Sequence, residues 1–172
     1  MKLAIADPPY LGMSKRFYAE HPQAAEWDDP QAHVALLQRL TDDYDGFVLC
    51  TLTSTLRFLW PLAADDVRMG AWVKPWAAFK GIRVMYRWEP VLFRVPSERV
   101  KASTGPMTKD WLYQRIATGR GLRGAKPDGF TEWCLDLLGY ISEQDTVDDL
   151  FPGSGGMGRV AAQGRLDLRS TP

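Results

Sequence analysis

The sequence predicts an α/β fold built on a mixed, mostly parallel sheet. Two short apolar runs, "KLAIA" at 2–6 and "GFVLC" at 46–50, flank one amphipathic helical segment, the pattern of a parallel βαβ unit. A third run, "DTVDDLF" at 145–151, passes into a glycine-rich loop and then a helical start. The 172 residues suffice for one ordinary domain with a single core, so one domain over 1–172 is expected.

Taken in order, "KLAIADPPY" is β-favourable and ends in Pro8-Pro9, which lack two backbone donors and cannot continue inside a sheet. Residues 11–30 are polar, aromatic and punctuated by proline. In "DPQAHVALLQRLTDDY" Asp29 is placed to cap and Pro30 to occupy the first helical position, while Val34, Leu36, Leu37 and Leu40 form an apolar stripe. "GFVLCTLTS" is apolar without alternation, which suits a strand covered on both faces. "TLRFLWPLAADD" predicts a short helix broken at Pro61. "VRMGAWVK" and "VMYRWEPVLFRV" predict two more strands, the second bulged or near an edge because of Pro90. "PDGFTEWCLDLLGYI" predicts a helix with Asp128 near its N-cap and a stripe from Phe130 through Trp133, Cys134, Leu137 and Leu138 to Ile141. "PGSGGMG" is then a loop, and "RVAAQ" begins a helix.

Composition narrows the function. Basic and acidic residues number 21 each, so no global field draws the chain to a polyanion, and any such partner needs a local patch. One exists: within 99–126, Arg99, Lys101, Lys109, Arg115, Arg120, Arg123 and Lys126 face Asp110 alone. Cys50 and Cys134 lie 84 positions apart with no metal-ligand spacing to His21 or His33, so neither a metal site nor a disulfide is expected. The cysteines read as buried and reduced, the histidines as structural or surface residues. No apolar stretch approaches membrane-spanning length and no leader is evident, so a soluble, untargeted protein is expected. Trp72, Trp76, Trp88, Trp111 and Trp133 read as core or interface residues.

Two segments carry chemistry. "DDLFPGSGGMGR" is a strand, a glycine loop that lets backbone approach a ligand, and a helix N-terminus with unpaired amides. It lacks the Gly-Lys-Ser/Thr end of a phosphate-binding P-loop and the spacing of a dinucleotide fingerprint. The other is "ADPPYLG" at 6–12, where an acid, two prolines and an aromatic follow a strand.

Asp149-Leu150-Phe151-Pro152-Gly153-Ser154-Gly155 resembles the D-x-F-x-G-S-G signature of S-adenosylmethionine-dependent amino-methyltransferases, and Asp7-Pro8-Pro9-Tyr10 resembles their catalytic tetrad. The tetrad comes first, as in the permuted beta group of DNA N6-adenine and N4-cytosine enzymes. "WVKP" at 72–75, "YRWEPVLF" at 86–93 and "AKPDGF" at 125–130 are similar to that group's remaining motifs, in the same order. The resemblance spans residue 3 to about 160 and extends to short phage-encoded members.

The resemblance implies a Rossmann-like, circularly permuted methyltransferase fold, with a catalytic half at 1–96, a basic loop in the target-recognition slot at 97–125 and a cofactor half at 126–172. It implies S-adenosylmethionine as cofactor, held by Asp149, Phe151, Gly153, Ser154 and Gly155 with Lys126 nearby. Asp7 and the Pro8 carbonyl would accept the two hydrogen bonds of an adenine amine, redirecting a lone pair otherwise delocalised into the ring. Pro9 stiffens that turn, and Tyr10 would stack on a base swung out of the duplex. Arg115, Arg120 and Arg123 would hold DNA phosphates with little base reading. The site would lie in the cytoplasm of a bacterial host or prophage carrier.

Two features depart from the family pattern. Only 14 residues follow Gly158, so the C-terminal edge of the sheet is expected to be truncated, with Asp167 the one acid available for the cofactor ribose. The recognition slot holds about 30 residues, so low specificity, or specificity borrowed from a second subunit, is expected. Because the cofactor end is short, a homodimer is expected to complete or shelter the site. RNA or cytosine N4 as the substrate, and a catalytically degenerate module binding DNA or a partner, remain open at this stage.

Overall fold

A computed structural model describes residues 1–14, 25–75, 83–101, 107–117, 125–153 and 155–162. Six strands share one sheet in the order β5-β3-β4-β2-β1-β6. They are β1 (Lys2–Ala6), β2 (Gly46–Cys50), β3 (Val67–Val73), β4 (Trp88–Arg94), β5 (Trp111–Tyr113) and β6 (Thr146–Asp149). β1 runs parallel to both β2 and β6, β3 is parallel to β5, and β4 is antiparallel to its neighbours β2 and β3. This is a Rossmann-like sheet, mixed and mostly parallel, and the strand before the glycine loop, although late in the chain, lies against β1.

The helices follow from local sequence. In α1 (Pro30–Asp43) the Asp29 side chain accepts from Gln31 N at 2.9 Å, and Pro30 sits where a missing donor costs nothing. Its buried stripe includes His33, whose Nε2 meets the Trp27 carbonyl at 2.9 Å. α2 (Thr53–Leu59) ends in a 3₁₀ turn containing Pro61. α3 (Asp128–Leu138) closes on Gly139 in the left-handed region at φ 62°, and α4 (Gly156–Ala162) follows the glycine loop.

These helices cover the sheet from two sides. One core packs Ile5, Val48, Trp72 and Val91 against Phe130, Trp133 and Leu138 of α3 and Val160 of α4. The other packs Ala4, Phe47 and Leu92 against Leu36, Leu37 and Leu40 of α1 and Leu59 of α2. β2 is buried along its whole length, as expected for a strand covered on both faces. Cys50 and Cys134 are both buried. Among the described residues no helix is long and apolar enough to cross a membrane.

Several local expectations are corrected. β4 is internal and its pairing with β3 runs without a bulge from Trp88 to Arg94. Pro90 is tolerated because it lies opposite Thr51, just past the end of β2. Its carbonyl still accepts from Thr51 N at 3.2 Å, so only one donor is lost, at the frayed end of the ladder. β4 also begins later than its apolar run, since β3 stops at Val73 opposite Trp88 and leaves Val84–Tyr86 no strand to join. Asp128 does stand next to the α3 cap position, Pro127, as expected, and its carboxylate accepts from Arg159 Nε at 2.8 Å. Ile141 leaves the stripe and is exposed, because Gly139 has already turned the chain. The basic stretch hides β5, only three residues long, which gains its geometry from pairing with β3 rather than from its own periodicity.

Candidate active site

The carboxyl ends of β1 and β6 are adjacent. Ile5 pairs with Asp149, and Leu150 N donates to the Ile5 carbonyl at 3.1 Å, so Asp7 and Phe151 leave the sheet side by side. In an open α/β sheet this carboxyl edge is where ligands bind. The turn after the tetrad is closed by Met13 N donating to the Tyr10 carbonyl at 2.8 Å, with Gly12 at φ 76°. Asp28 secures it by accepting from Gly12 N at 3.1 Å and Ser14 N at 3.2 Å.

A network of charge fills the space beside Asp7. Lys126 Nζ donates to both carboxylate oxygens of Asp7 at 2.8 Å and to the Tyr10 hydroxyl at 3.0 Å. The Tyr10 hydroxyl in turn donates to Glu89 Oε2 at 2.8 Å, while Lys74 ion-pairs with Glu89 Oε1. The Lys126 ammonium also lies over the rings of Tyr10, Trp72 and Phe130 at 5.2, 5.5 and 5.6 Å.

The protonation states follow from this packing. Burial alone would push the Lys126 ammonium down, but the carboxylates of Asp7 and Glu89 outweigh it and hold the group above the ordinary lysine range. Burial would likewise raise Glu89, and Lys126 and Lys74 together bring it below its usual value. Burial, reinforced by Asp7 and Glu89, raises the Tyr10 hydroxyl well above the phenolic range. At neutral pH the cluster is therefore an ammonium-clamped carboxylate beside a neutral phenol.

The glycine loop completes the edge. Gly153 and Gly155 have φ of 45° and 75°, in the left-handed region that favours glycine. A Cβ at Gly153 would meet nothing nearer than the Phe151 carbonyl at 3.6 Å, so conformation rather than crowding demands the glycine. Gly155 N donates to the Pro152 carbonyl at 2.6 Å, closing the turn ahead of α4. Asp149 accepts from Phe151 N at 3.2 Å, and burial, with Asp7 adding to it, raises its carboxyl to about 6. The Phe151 ring meets the edge of Trp27 at 4.9 Å.

Lys126, expected near the cofactor, is bonded to Asp7 and Tyr10 of the tetrad. Arg115 is exposed, but Arg99 from the same basic stretch turns inward to the Gly139 carbonyl and to Asp145 at 2.9 Å, so it belongs to the scaffold. Arg120, Arg123, Ser154, Asp167, His21 and Trp76 lie outside the described residues. Lys74 and Trp27 were assigned no role in sequence, whereas Glu89 of "WEP" reads there as a residue supporting the site. The "WVKP" and "WEP" segments signalled Lys74 and Glu89, and register explains them, since Trp72 pairs with Glu89 across β3 and β4. Trp88 and Trp111 are not core residues: 43% and 47% of their surfaces are exposed.

The site suits a small cationic ligand. Asp7, Glu89 and Asp149 outnumber Lys126 and Lys74, and the carboxylates converge beside a left-handed glycine turn. Among the described residues no group of three or more His, Cys, Asp or Glu side chains is arranged to hold a metal ion.

No protein-family model and no curated protein matches the sequence. Among solved structures the chain is similar to the crystal structure of the M1.HpyAVI-SAM complex, with 17% identity and a TM-score of 0.59 over 97% of this chain and 80% of that one. The crystal structure of M1.HpyAVI matches equally, at 17% identity and a TM-score of 0.59 over 96% and 78% of the two chains. At such identity the likeness establishes the fold.

Proposed function

We propose that this chain transfers a methyl group from S-adenosylmethionine to the exocyclic N6 amine of adenine in DNA, in the cytoplasm of a bacterial host or prophage carrier. The observation that carries the reading is the Asp7 carboxylate at the end of β1, clamped by Lys126 and set beside the glycine turn that follows β6. The shared fold of the M1.HpyAVI-SAM complex supports it.

Bound at the glycine turn, S-adenosylmethionine would supply an electrophilic sulfonium methyl group, with Asp149, Phe151, Gly153 and Gly155 as the residues to hold it. The residues of the tetrad act on the amine. A carboxylate has about four acceptor sites, and Lys126 uses two of them on Asp7, so capacity remains for an amine proton. Accepting a hydrogen bond from that proton, together with a second accepted by the Pro8 carbonyl, would draw the nitrogen toward a tetrahedral shape with its lone pair free. Lys126 holds Asp7 fixed in direction, so little reorganisation is needed when the amine arrives. The Lys126 ammonium lies over the Tyr10 ring, which would stack on the target base.

The test is mass spectrometry of nucleosides after incubation with cofactor and either unmethylated DNA or RNA. N6-methyladenine from DNA is expected, and Asp7→Ala should abolish it while leaving calorimetric cofactor affinity within a few-fold. Methylated cytosine or methylated RNA alone would replace the substrate. An absence of cofactor binding would overturn the enzyme reading in favour of a catalytically silent binding module.

A further inference from the structure

Side chains alternate across the sheet, so residues of β3, β4 and β5 divide between its two faces. On the face covered by α1 and α2, Leu92 and Val67 are buried beneath Leu59 and its neighbours. Toward β5 this cover ends. Tyr113 pairs with Val73, which pairs in turn with Trp88, and Trp111 pairs with Ala71, so these aromatic residues share one face with Met69. Met69, Trp88, Trp111 and Tyr113 are 36%, 43%, 47% and 56% exposed. Scattered apolar exposure needs no explanation, but three aromatic side chains on one sheet face form a patch.

Charge identifies its occupant. Lys109 Nζ lies over the Trp111 ring at 5.0 Å, and Arg115, exposed, follows two residues beyond Tyr113 at the same alternation. Both belong to the strongly basic stretch 99–126 of a chain whose charges sum to zero. Aromatic faces interleaved with cations along an extended strand suit the bases and phosphates of an unpaired nucleic-acid strand. Trp111 and Tyr113, two residues apart, are separated by about 7 Å along β5, so each can meet a different base. Trp88 directly precedes Glu89 in β4, so the patch lies on the face of the sheet opposite the Glu89 carboxylate that holds the Tyr10 hydroxyl.

We propose that the exposed face of β3, β4 and β5 is a stacking platform for single-stranded DNA, with Trp88, Trp111 and Tyr113 contacting bases and Lys109 and Arg115 contacting phosphates. This deepens the methyltransferase reading, on which it rests, by giving a DNA strand that runs on from the reacting base a place to lie on the opposite face of the sheet. Paired bases have no free face for these rings, so the platform selects unpaired DNA.

The experiment measures fluorescence anisotropy of a labelled oligothymidine and of a matching duplex, without cofactor. Wild type is expected to bind the single strand more tightly. Trp111→Ala combined with Tyr113→Ala should weaken single-strand binding at least tenfold, at about 1–3 kcal/mol per stacked base, and change duplex binding less than twofold. Lys109→Ala should reduce the salt slope by about 0.7. Single-strand affinity within twofold of wild type in the double variant, or equal losses for strand and duplex, would overturn the platform. A wild-type dimer in sedimentation that the double variant dissociates would assign the face to a second copy instead, and so would overturn it too. These readouts are independent of methyl transfer: platform binding without product would refute the proposed activity alone, and product with unaltered strand binding would refute the platform alone.

Discussion

Replacing Lys126 by methionine keeps the length of the side chain and removes the cation that faces two carboxylates. In the native protein that ammonium bonds both oxygens of Asp7 and lies 3.7 Å from Glu89 Oε2. Stripping one partner from a fully buried pair costs about 3–5 kcal/mol, because a desolvated charge is left behind. Water screens part of the loss here, since the Asp7 side chain retains 31% exposure against 13% for Lys126. Lys74 also continues to neutralise Glu89. The expected loss is therefore about 2 kcal/mol, or about 4–8 °C in Tm for a chain of this size. Thermal unfolding followed by circular dichroism measures it. Glu89 is held below its usual value in the folded state, so the stability it shares with Lys126 is present above the unfolded glutamate pKa of about 4.3. That share is lost as pH falls through the lower folded value. The gap between wild type and Lys126→Met should accordingly be full at neutral pH and narrow in acid. Adding Asp7→Asn to Lys126→Met should restore part of the stability, because the stranded charge is then gone. A Lys126→Met protein that melts within 1 °C of wild type at neutral pH would refute the reasoning.

Two further outcomes follow from the glycine edge. Asp149 titrates near 6 because it is buried, so a sulfonium ligand should bind more tightly as pH rises from about 5 to 7, while the neutral thioether product changes little. Calorimetry of both ligands across that range checks this, and Asp149→Asn should flatten the difference; a preference that ignores pH would remove Asp149 from the site. Gly153→Ala should cost about 1–2 kcal/mol, because it forces a left-handed alanine without a clash. The same variant should weaken cofactor binding with the fold intact, and an unchanged melting curve would contradict the assigned backbone.

Much of the scaffold is legible in short windows of sequence. Asp29 and Pro30 mark the start of α1, and an apolar spacing of three and four marks its buried stripe, because capping and helical periodicity act within a few residues. Burial of β2 on both faces follows from a run without alternation. The tetrad and the glycine loop stand out because proline and glycine leave local marks where strands end.

What lies far apart in sequence was decided elsewhere. Pro90 marks an edge strand by its own chemistry, yet β4 is internal because the missing donor falls opposite Thr51, where β2 has ended. β5 takes strand form only because β3 offers its edge. Lys126 is 119 residues from Asp7, and it clamps that carboxylate because α3 packs on the face of the sheet that carries Trp72. Glu89 reaches Tyr10 through the alternation of β4 and its register with β3. By itself the sequence determined where the strands, caps and turns that carry the tetrad and the glycine loop begin and end, since capping, periodicity and turn conformation depend on near neighbours. Their meeting in one site depended on which strands pair and which faces bury, and only tertiary packing sets those.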